Sequence, residues 1–247
     1  ESSEEEFPGL LGHGEGVLQL KTPTRLPSLG GERAIGVAAS QYFSLALSAN
    51  GALWSWSSGE DGKLGHGDKE DQWQPKKLED FAAQRVVAVS AGNDHSLALT
   101  ADGALWSWGW GEDGTLGHGD EQSQPLPKKV EALAGQRVIA VSAGEHHSLA
   151  LTADGAVWSW GFGSQGQLGH GDWQSQLPPK KIEAFAGQRV LAVSTGGDHN
   201  LALTADGAVW SWGWGADGQL GHGDQQNQLQ PKKIEALTGQ RVIAVSA

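Results

Sequence analysis

Cysteine and methionine are both absent from this chain of 247 residues. Without cysteine there is no disulfide framework, no thiol nucleophile and no Cys-ligated zinc, and the redox compartment stays open. Without methionine, even at position 1, the chain is not an unprocessed translation product. A removed leader, as in import into an organelle, and a place within a longer chain both fit, so the compartment is unknown. Long apolar runs are also missing. Nothing approaches the ~20 residues that span a bilayer and no secretory core opens the chain, so the expectation is a soluble body whose only membrane role would be peripheral association with a membrane complex. Cations are scarce, with 17 Lys and Arg against 29 Asp and Glu and a net charge of −12. Phosphate affinity comes mainly from Lys and Arg, so a general nucleic-acid binder is disfavoured.

What the chain has instead is a unit of about 52 residues, a period that marks a repeat architecture. Gly-His-Gly followed by an acid recurs around His13, His66, His118, His170 and His222. The Lys pairs at 76–77, 128–129, 180–181 and 232–233 recur with it, as do Arg33, Arg85, Arg137, Arg189 and Arg241, and they fit a solvated structural ring. The 37 glycines and nine prolines sit at fixed places in each unit and mark turns. Twelve Trp supply the large buried areas that a modest apolar content of 38% would otherwise lack. Residues 1–8, opening Glu1-Ser2-Ser3-Glu4-Glu5-Glu6, fall outside the repeat and read as an acidic, flexible end.

Residues 137–188 show what one unit encodes. Arg137–Ser142 is β-branched and apolar, Ser148–Thr152 is a second extended run, Asp154-Gly155 is a hairpin signal, and Ala156–Gly161 makes a third strand. Trp158 and Trp160 are two apart and share a face, while Val157 and Ser159 point the other way. Neither face is strongly polar, which suits a strand packed between neighbouring sheets. The glycine-dense stretch Gly163–Asp172 implies tight turning, and Pro179-Lys180-Lys181-Ile182 leads toward a fourth extended segment with the proline at a start or edge. Four short strands per unit make an all-β propeller blade.

The run Gly144, His147–Thr152, Asp154-Gly155, Val157–Gly161 and Gly166–Asp172 closely resembles the repeats of the RCC1 family, named for the regulator of chromosome condensation. The resemblance covers residues 9–247 and implies an RCC1-like β-propeller, usually of seven blades. About four and a half blades are encoded here, with the last unit stopping at Ala247 before its hairpin. The expectation is therefore an open arc, or a fragment of a larger ring, whose edges pair with further chain or with a partner. The family's founding member exchanges nucleotide on a small GTPase with the help of an inserted wedge, and no unit here carries an insertion. Another branch senses ultraviolet B through a Gly-Trp-Arg-His-Thr motif. The matching positions here are Asn93-Asp94, Glu145-His146 and Gly197-Asp198, with neither Trp nor Arg.

Catalytic, cofactor and metal sites find no support in the sequence. His95, His147 and His199 occupy one repeat position that is Phe43 in the first unit, which points to packing or hydrogen bonding. His66 and Asp68 could together offer two metal ligands, but each such pair is alone in its unit. Asp102, Asp154 and Asp206 belong to hairpin turns, and no Ser, His and Asp set stands outside the repeat. What varies between units is the loop reading 69–74, 121–126, 173–178 and 225–230. Trp73 and Trp173 occur only there, among Gln74, Gln122, Gln174 and Gln226. A Trp in a Gln-rich loop is either an anchor for a protein partner or folded back on its own blade. A third aromatic position holds Trp110, Phe162 and Trp214 but Ser58 in the first unit. The function these features indicate is a non-catalytic protein-binding module, a scaffold or linker subunit of a larger complex. A GTPase exchange factor and an ultraviolet-B sensor are the alternatives.

Overall fold

The computed structural model describes residues 11–247 apart from 16, 18, 27 and 28, so the acidic N-terminus lies outside the described residues. Each unit folds into one four-stranded antiparallel sheet with its strands in chain order. The first blade holds β1 (Ala34–Ala39), β2 (Phe43–Ser48), β3 (Leu53–Ser57) and β4 (Gln72–Lys77). The second holds β5 (Val86–Ala91), β6 (His95–Thr100), β7 (Leu105–Gly109) and β8 (Gln124–Lys129). The third holds β9 (Val138–Ala143), β10 (His147–Thr152), β11 (Val157–Gly161) and β12 (Gln176–Lys181), and the fourth β13 (Val190–Thr195), β14 (His199–Thr204), β15 (Val209–Gly213) and β16 (Gln228–Lys233). Neighbouring inner strands contact one another, β1 with β5, β5 with β9 and β9 with β13, so the blades stack radially in sequence order as an open arc.

Alternation on the strands builds the packing between blades. On β6, Leu97 and Leu99 face the third blade, where they join Leu105, Val130 and Leu133 against Ala150 and Trp160, with Trp158 packed at the margin. The same arrangement sets Leu149, Leu151, Val157, Ile182 and Phe185 against Ala202 and Trp212. Both tryptophans of a third strand thus point to the preceding blade and the leucines of a second strand to the following one, as the two-residue period requires. Fully burying each such side chain is worth about 1.5–3 kcal/mol.

Two elements differ from expectation. The fourth strand begins at Gln176 and runs through Pro179 to Lys181, so half of the variable stretch 173–178 is strand rather than loop. Its pairing with β11 is irregular between Ser159 and Gly161, and its Pro and Lys residues are those tolerated on an outer edge. Residues 241–247 repeat the inner-strand sequence yet form no strand. They still occupy the next inner position, because Ala247 N–H donates to Ser194 Oγ at 3.0 Å. This copies the third and fourth blades, where Ala143 N–H donates to Ser90 Oγ at 3.0 Å and Thr195 N–H to Ser142 Oγ at 3.1 Å. At the other end of the chain, Gly14 N–H donates to Trp73 O at 3.0 Å, as Gly67 N–H does to Pro125 O at 2.9 Å. The Gly-His-Gly loop around His13 therefore docks on the first blade as the loops around His66 and His170 dock on the blades that follow them.

The third strand ends on a residue with positive φ. Three blades use Gly109, Gly161 and Gly213 at φ 106°, 99° and 101°, and a Cβ at Gly109 would fall 2.9 Å from the His95 Cα and closer still to the Asp94 carbonyl. The first blade has Ser57 there, at φ 92° and fully buried, with a hydroxyl that has no hydrogen-bond partner. Both the backbone conformation and the orphan hydroxyl cost stability. Ser57→Gly is therefore expected to stabilise the protein by about 1–3 kcal/mol, read as a higher urea midpoint. An unchanged or lower midpoint would contradict the strain assigned to this position.

Candidate protein-binding face

Two sets of loops meet at one end of the arc. The short connections between first and second strands carry Asn93-Asp94, Glu145-His146 and Gly197-Asp198, and the long glycine-rich connections between third and fourth strands carry the variable residues. The long loops are pinned at several points. Gly111 N–H donates to Ser123 Oγ at 3.2 Å and Gly215 N–H to Asn227 Oδ1 at 2.9 Å, drawing the two arms together. At the tip, Asp120, Asp172 and Asp224 Oδ1 each accept the backbone N–H two residues on, from Gln122, Gln174 and Gln226, at 3.1 Å. These are Asx turns, and they hold the intervening residue out from the blade.

Trp173 is the residue so presented, and it is 50% exposed. Gln122, Gln174 and Gln226 are exposed beside their turns. Trp73 lies elsewhere: it is half-buried in β4, its carbonyl holds Gly14, and exposed Gln74 follows it. The six variable residues thus do not converge. Trp173 and Gln174 share the third blade, Trp73 and Gln74 the first, and Gln122 and Gln226 belong to the second and fourth.

Beneath this rim every blade repeats a Ser–His contact that sequence reasoning missed. Ser55, Ser107, Ser159 and Ser211 Oγ donate to the carbonyls of Leu64, Leu116, Leu168 and Leu220 at 2.6–2.7 Å. The same hydroxyls lie 2.9–3.1 Å from Nε2 of His66, His118, His170 and His222. A hydroxyl has one proton, and it is committed to the carbonyl, so Nε2 is the donor to Oγ. That polarity is the reverse of an activated serine, whose base must accept the hydroxyl proton. Burial first, then the neighbouring lysine, pushes His66, His118 and His170 down to about 4.

A second relay crosses between blades. His95 Nε2 lies 2.9 Å from Ser148 Oγ, which donates to Thr115 O at 3.2 Å. His147 Nε2 donates to Asn200 Oδ1 at 2.7 Å, and Asn200 Nδ2 donates to Gln167 O at 2.8 Å. Burial holds His95 down to about 3 and His147 to about 4, the Asn200 bond opposing the latter shift. In the first blade the fully buried Phe43 fills this position. Among the described residues no group of three or more His, Asp or Glu side chains is gathered as metal ligands would be, and no helix is long and apolar enough to cross a membrane.

The face also holds groups the sequence did not mark as a set. Trp110 packs 5.1 Å from His146 between ring centroids, and His146 stands edge-on to Phe162 at 6.5 Å. The first blade is again distinct. Buried Lys63 pairs with Asp94 of the second blade at 2.8 Å and lies over the Tyr42 ring, where the third blade has the neutral Gln167 bonded to Asp198 at 3.0 Å.

A family model described as the RCC1-like domain matches residues 4–247. The chain is 40% identical to the ultraviolet-B receptor UVR8 of Arabidopsis thaliana over 211 residues, which is 85% of this chain and 48% of the receptor. It is 41% identical to the E3 ubiquitin-protein ligase HERC2 of Homo sapiens over 242 residues, 96% of this chain and 5% of the ligase. Of solved structures, yeast RCC1 (Prp20) bound to Kap60 is similar with a TM-score of 0.84 and 25% identity, covering 95% of this chain and 56% of that one. Human WBSCR16 is similar with a TM-score of 0.81 and 27% identity, covering 90% and 57%. The chain thus spans about half the length of the receptor and of these propellers, and a small part of the ligase.

His66, His95, His118, His147, His170, His199 and His222, each held low first by burial, set the pH response of this scaffold. In the unfolded chain they titrate near 6.5, and above that pH they are neutral in both states and contribute no pH dependence. Between pH 6.5 and about 4 the unfolded chain takes up protons that the folded rings refuse, so stability falls as pH falls. Asp102, Asp154 and Asp206, held low first by the Thr100, Thr152 and Thr204 hydroxyls, lose their contribution at still lower pH and in the same direction. The urea midpoint is expected to drop from pH 7 to pH 5. A flat profile over that window would show the rings to be solvated.

Proposed function

The chain belongs to the RCC1-like domain family, and on that premise we propose that it is a non-catalytic protein-binding module, a scaffold or linker subunit whose loop end receives a partner protein. The observation that carries the proposal is Trp173, a large apolar side chain held half-exposed at the tip of a pinned Asx turn where the other blades have Lys69, Glu121 and Gln225. An aromatic fixed in the open concentrates binding energy at low entropic cost. A relative supports the general reading: the yeast propeller is seen bound to Kap60. The Ser–His contacts of each blade run in the wrong sense for a nucleophile, which supports a non-enzymatic role.

The two alternatives have less behind them. A propeller relative is described by its binding to Gsp1p and histones, which keeps a GTPase partner in view, but the blades here follow one another without an inserted element. The resemblance to the ultraviolet-B receptor stands at 40% identity, yet the loops at 93–94, 145–146 and 197–198 carry no Trp or Arg. A mitochondrial RCC1 domain-containing protein of Arabidopsis thaliana at 34% identity leaves organelle import open for this chain.

The test is retention of native partners from an extract of the source organism. Trp173→Ala is expected to lose a protein that the unmodified chain retains, with no change in melting temperature. Trp73→Ala is expected to lower the melting temperature, since that ring is half-buried on an outer strand. Retention unaffected by Trp173→Ala would remove Trp173 as the anchor.

A further inference from the structure

The charge at the loop end is one-sided. Its two lysines are both neutralised in place, Lys63 by Asp94 at 2.8 Å and Lys69 by Asp61 at 3.4 Å. The repeat lysines lie on the outer strands β4, β8, β12 and β16, where Lys76 and Lys232 come within 4.0 and 3.9 Å of Asp68 and Asp224 at the loop tips. Among the described residues Glu112, Asp113 and Asp198 have no Lys or Arg partner, and Glu145 has only the neighbouring His146 at 3.7 Å. These acids are interleaved with rings. Trp110, His146 and Phe162 form a row crossing from the second blade to the third, and the Glu145 carboxylate lies against Gly197 of the fourth. The inner loops are fixed to one another by the backbone, with Asn93 N–H donating to Glu145 O at 3.4 Å and Glu145 N–H to Gly197 O at 3.0 Å. The His146 Nδ1 has no partner although its surroundings are closed to water.

We propose that this surface, across the second to fourth blades, docks a basic segment of a partner protein, with Lys or Arg heads paired to Glu145 and Asp198 and their stems or guanidinium planes laid on Trp110 and Phe162. The inference rests on the binding-module reading and adds the chemistry of the partner. Charge complementarity selects the occupant, because an acidic segment would meet carboxylates without Lys or Arg partners on loops that themselves carry no Lys or Arg. The rings make the site more than a diffuse negative field, since a cation over an aromatic face gains a directional attraction that salt screens less.

The probe is a short fluorescein-labelled oligo-arginine peptide, with oligo-glutamate of equal length as comparison, titrated by anisotropy against the full chain at low and physiological salt. Oligo-arginine is expected to bind and oligo-glutamate not to. Glu145→Gln combined with Asp198→Asn is expected to weaken binding roughly tenfold, about 1.4 kcal/mol. Glu131→Gln combined with Glu183→Gln removes the same charge from the opposite end of the blades and should change binding less than about twofold. Glu145→Gln alone, at a half-exposed side chain, is expected to keep the fold and weaken binding, and Trp110→Ala is expected to weaken oligo-arginine binding at physiological salt, an unchanged affinity counting against the aromatic row. Equal loss from both double substitutions would overturn the proposal in favour of diffuse electrostatics, as would no preference for oligo-arginine. If that happens while a native partner is still retained through Trp173, the binding-module reading survives and the basic-segment inference alone falls.

Discussion

One backbone carbonyl at each boundary between blades carries the arc. The carbonyl of Lys63 accepts both Trp108 Nε1–H and Ser96 Oγ–H from the next blade, each at 2.9 Å. The Thr115 carbonyl does the same for Trp160 and Ser148, and that of Gln167 for Trp212 and Asn200. Both lone pairs of a buried oxygen are thereby used across a blade boundary. An isolated sheet of this sequence would expose its leucines to water and exchange both of these bonds for hydration, which is why a blade needs a neighbour. The glycine-rich loop exists to place this carbonyl, and the same loop carries the binding face at its outer tip. Scaffold stability and site geometry therefore share one element.

That sharing explains how conserved positions and variable ones coexist within a single loop. The stretch from Gly62 to Gly65 is pressed onto the next blade, where a Cβ at Gly62 would sit 2.5 Å from the Pro125 Cα. Four residues later the chain is in solvent and the side chain is free to be Lys69, Glu121, Trp173 or Gln225. The first blade departs from the others at Phe43, Ser57, Ser58 and Lys63 together. Phe43 replaces a hydrogen-bonding histidine and Lys63 adds a buried charge, so the boundary between first and second blades is held by an ion pair and apolar contact rather than by the His relay. Such a pair is worth less than its Coulomb attraction suggests, because both groups are desolvated.

The blade was legible in the sequence because strands buried on both sides need β-branched, leucine and tryptophan residues, and because Asp-Gly turns and glycine spacing punctuate them. The fourth strand was shifted by several residues, since Gln176-Leu177-Pro178-Pro179 has poor strand propensity and is held by pairing with β11 instead. Bulges in the inner strands were not legible either: Val87, Ile139 and Leu191 each lack a cross-strand partner and remain about half exposed, a consequence of register rather than residue type. At the binding face, Trp73 and Trp173 look equivalent in a Gln-rich setting. Only their offset from the preceding Asp distinguishes a turn tip from a strand, and the rings of Trp110, His146 and Phe162 come together through the contact between blades, which no single unit encodes.

If the carbonyl bridges couple the blades into one cooperative body, their indole protons should exchange together. Hydrogen exchange of the Trp side-chain Nε1–H groups, followed by NMR, reads this directly. The account predicts that Trp108, Trp160 and Trp212 share one slow rate set by opening of the whole arc, while Trp106, Trp158 and Trp210, whose Nε1–H groups have no hydrogen-bond partner, exchange faster. Independent rates for Trp108, Trp160 and Trp212, or protection no greater than that of the unbonded indoles, would contradict it.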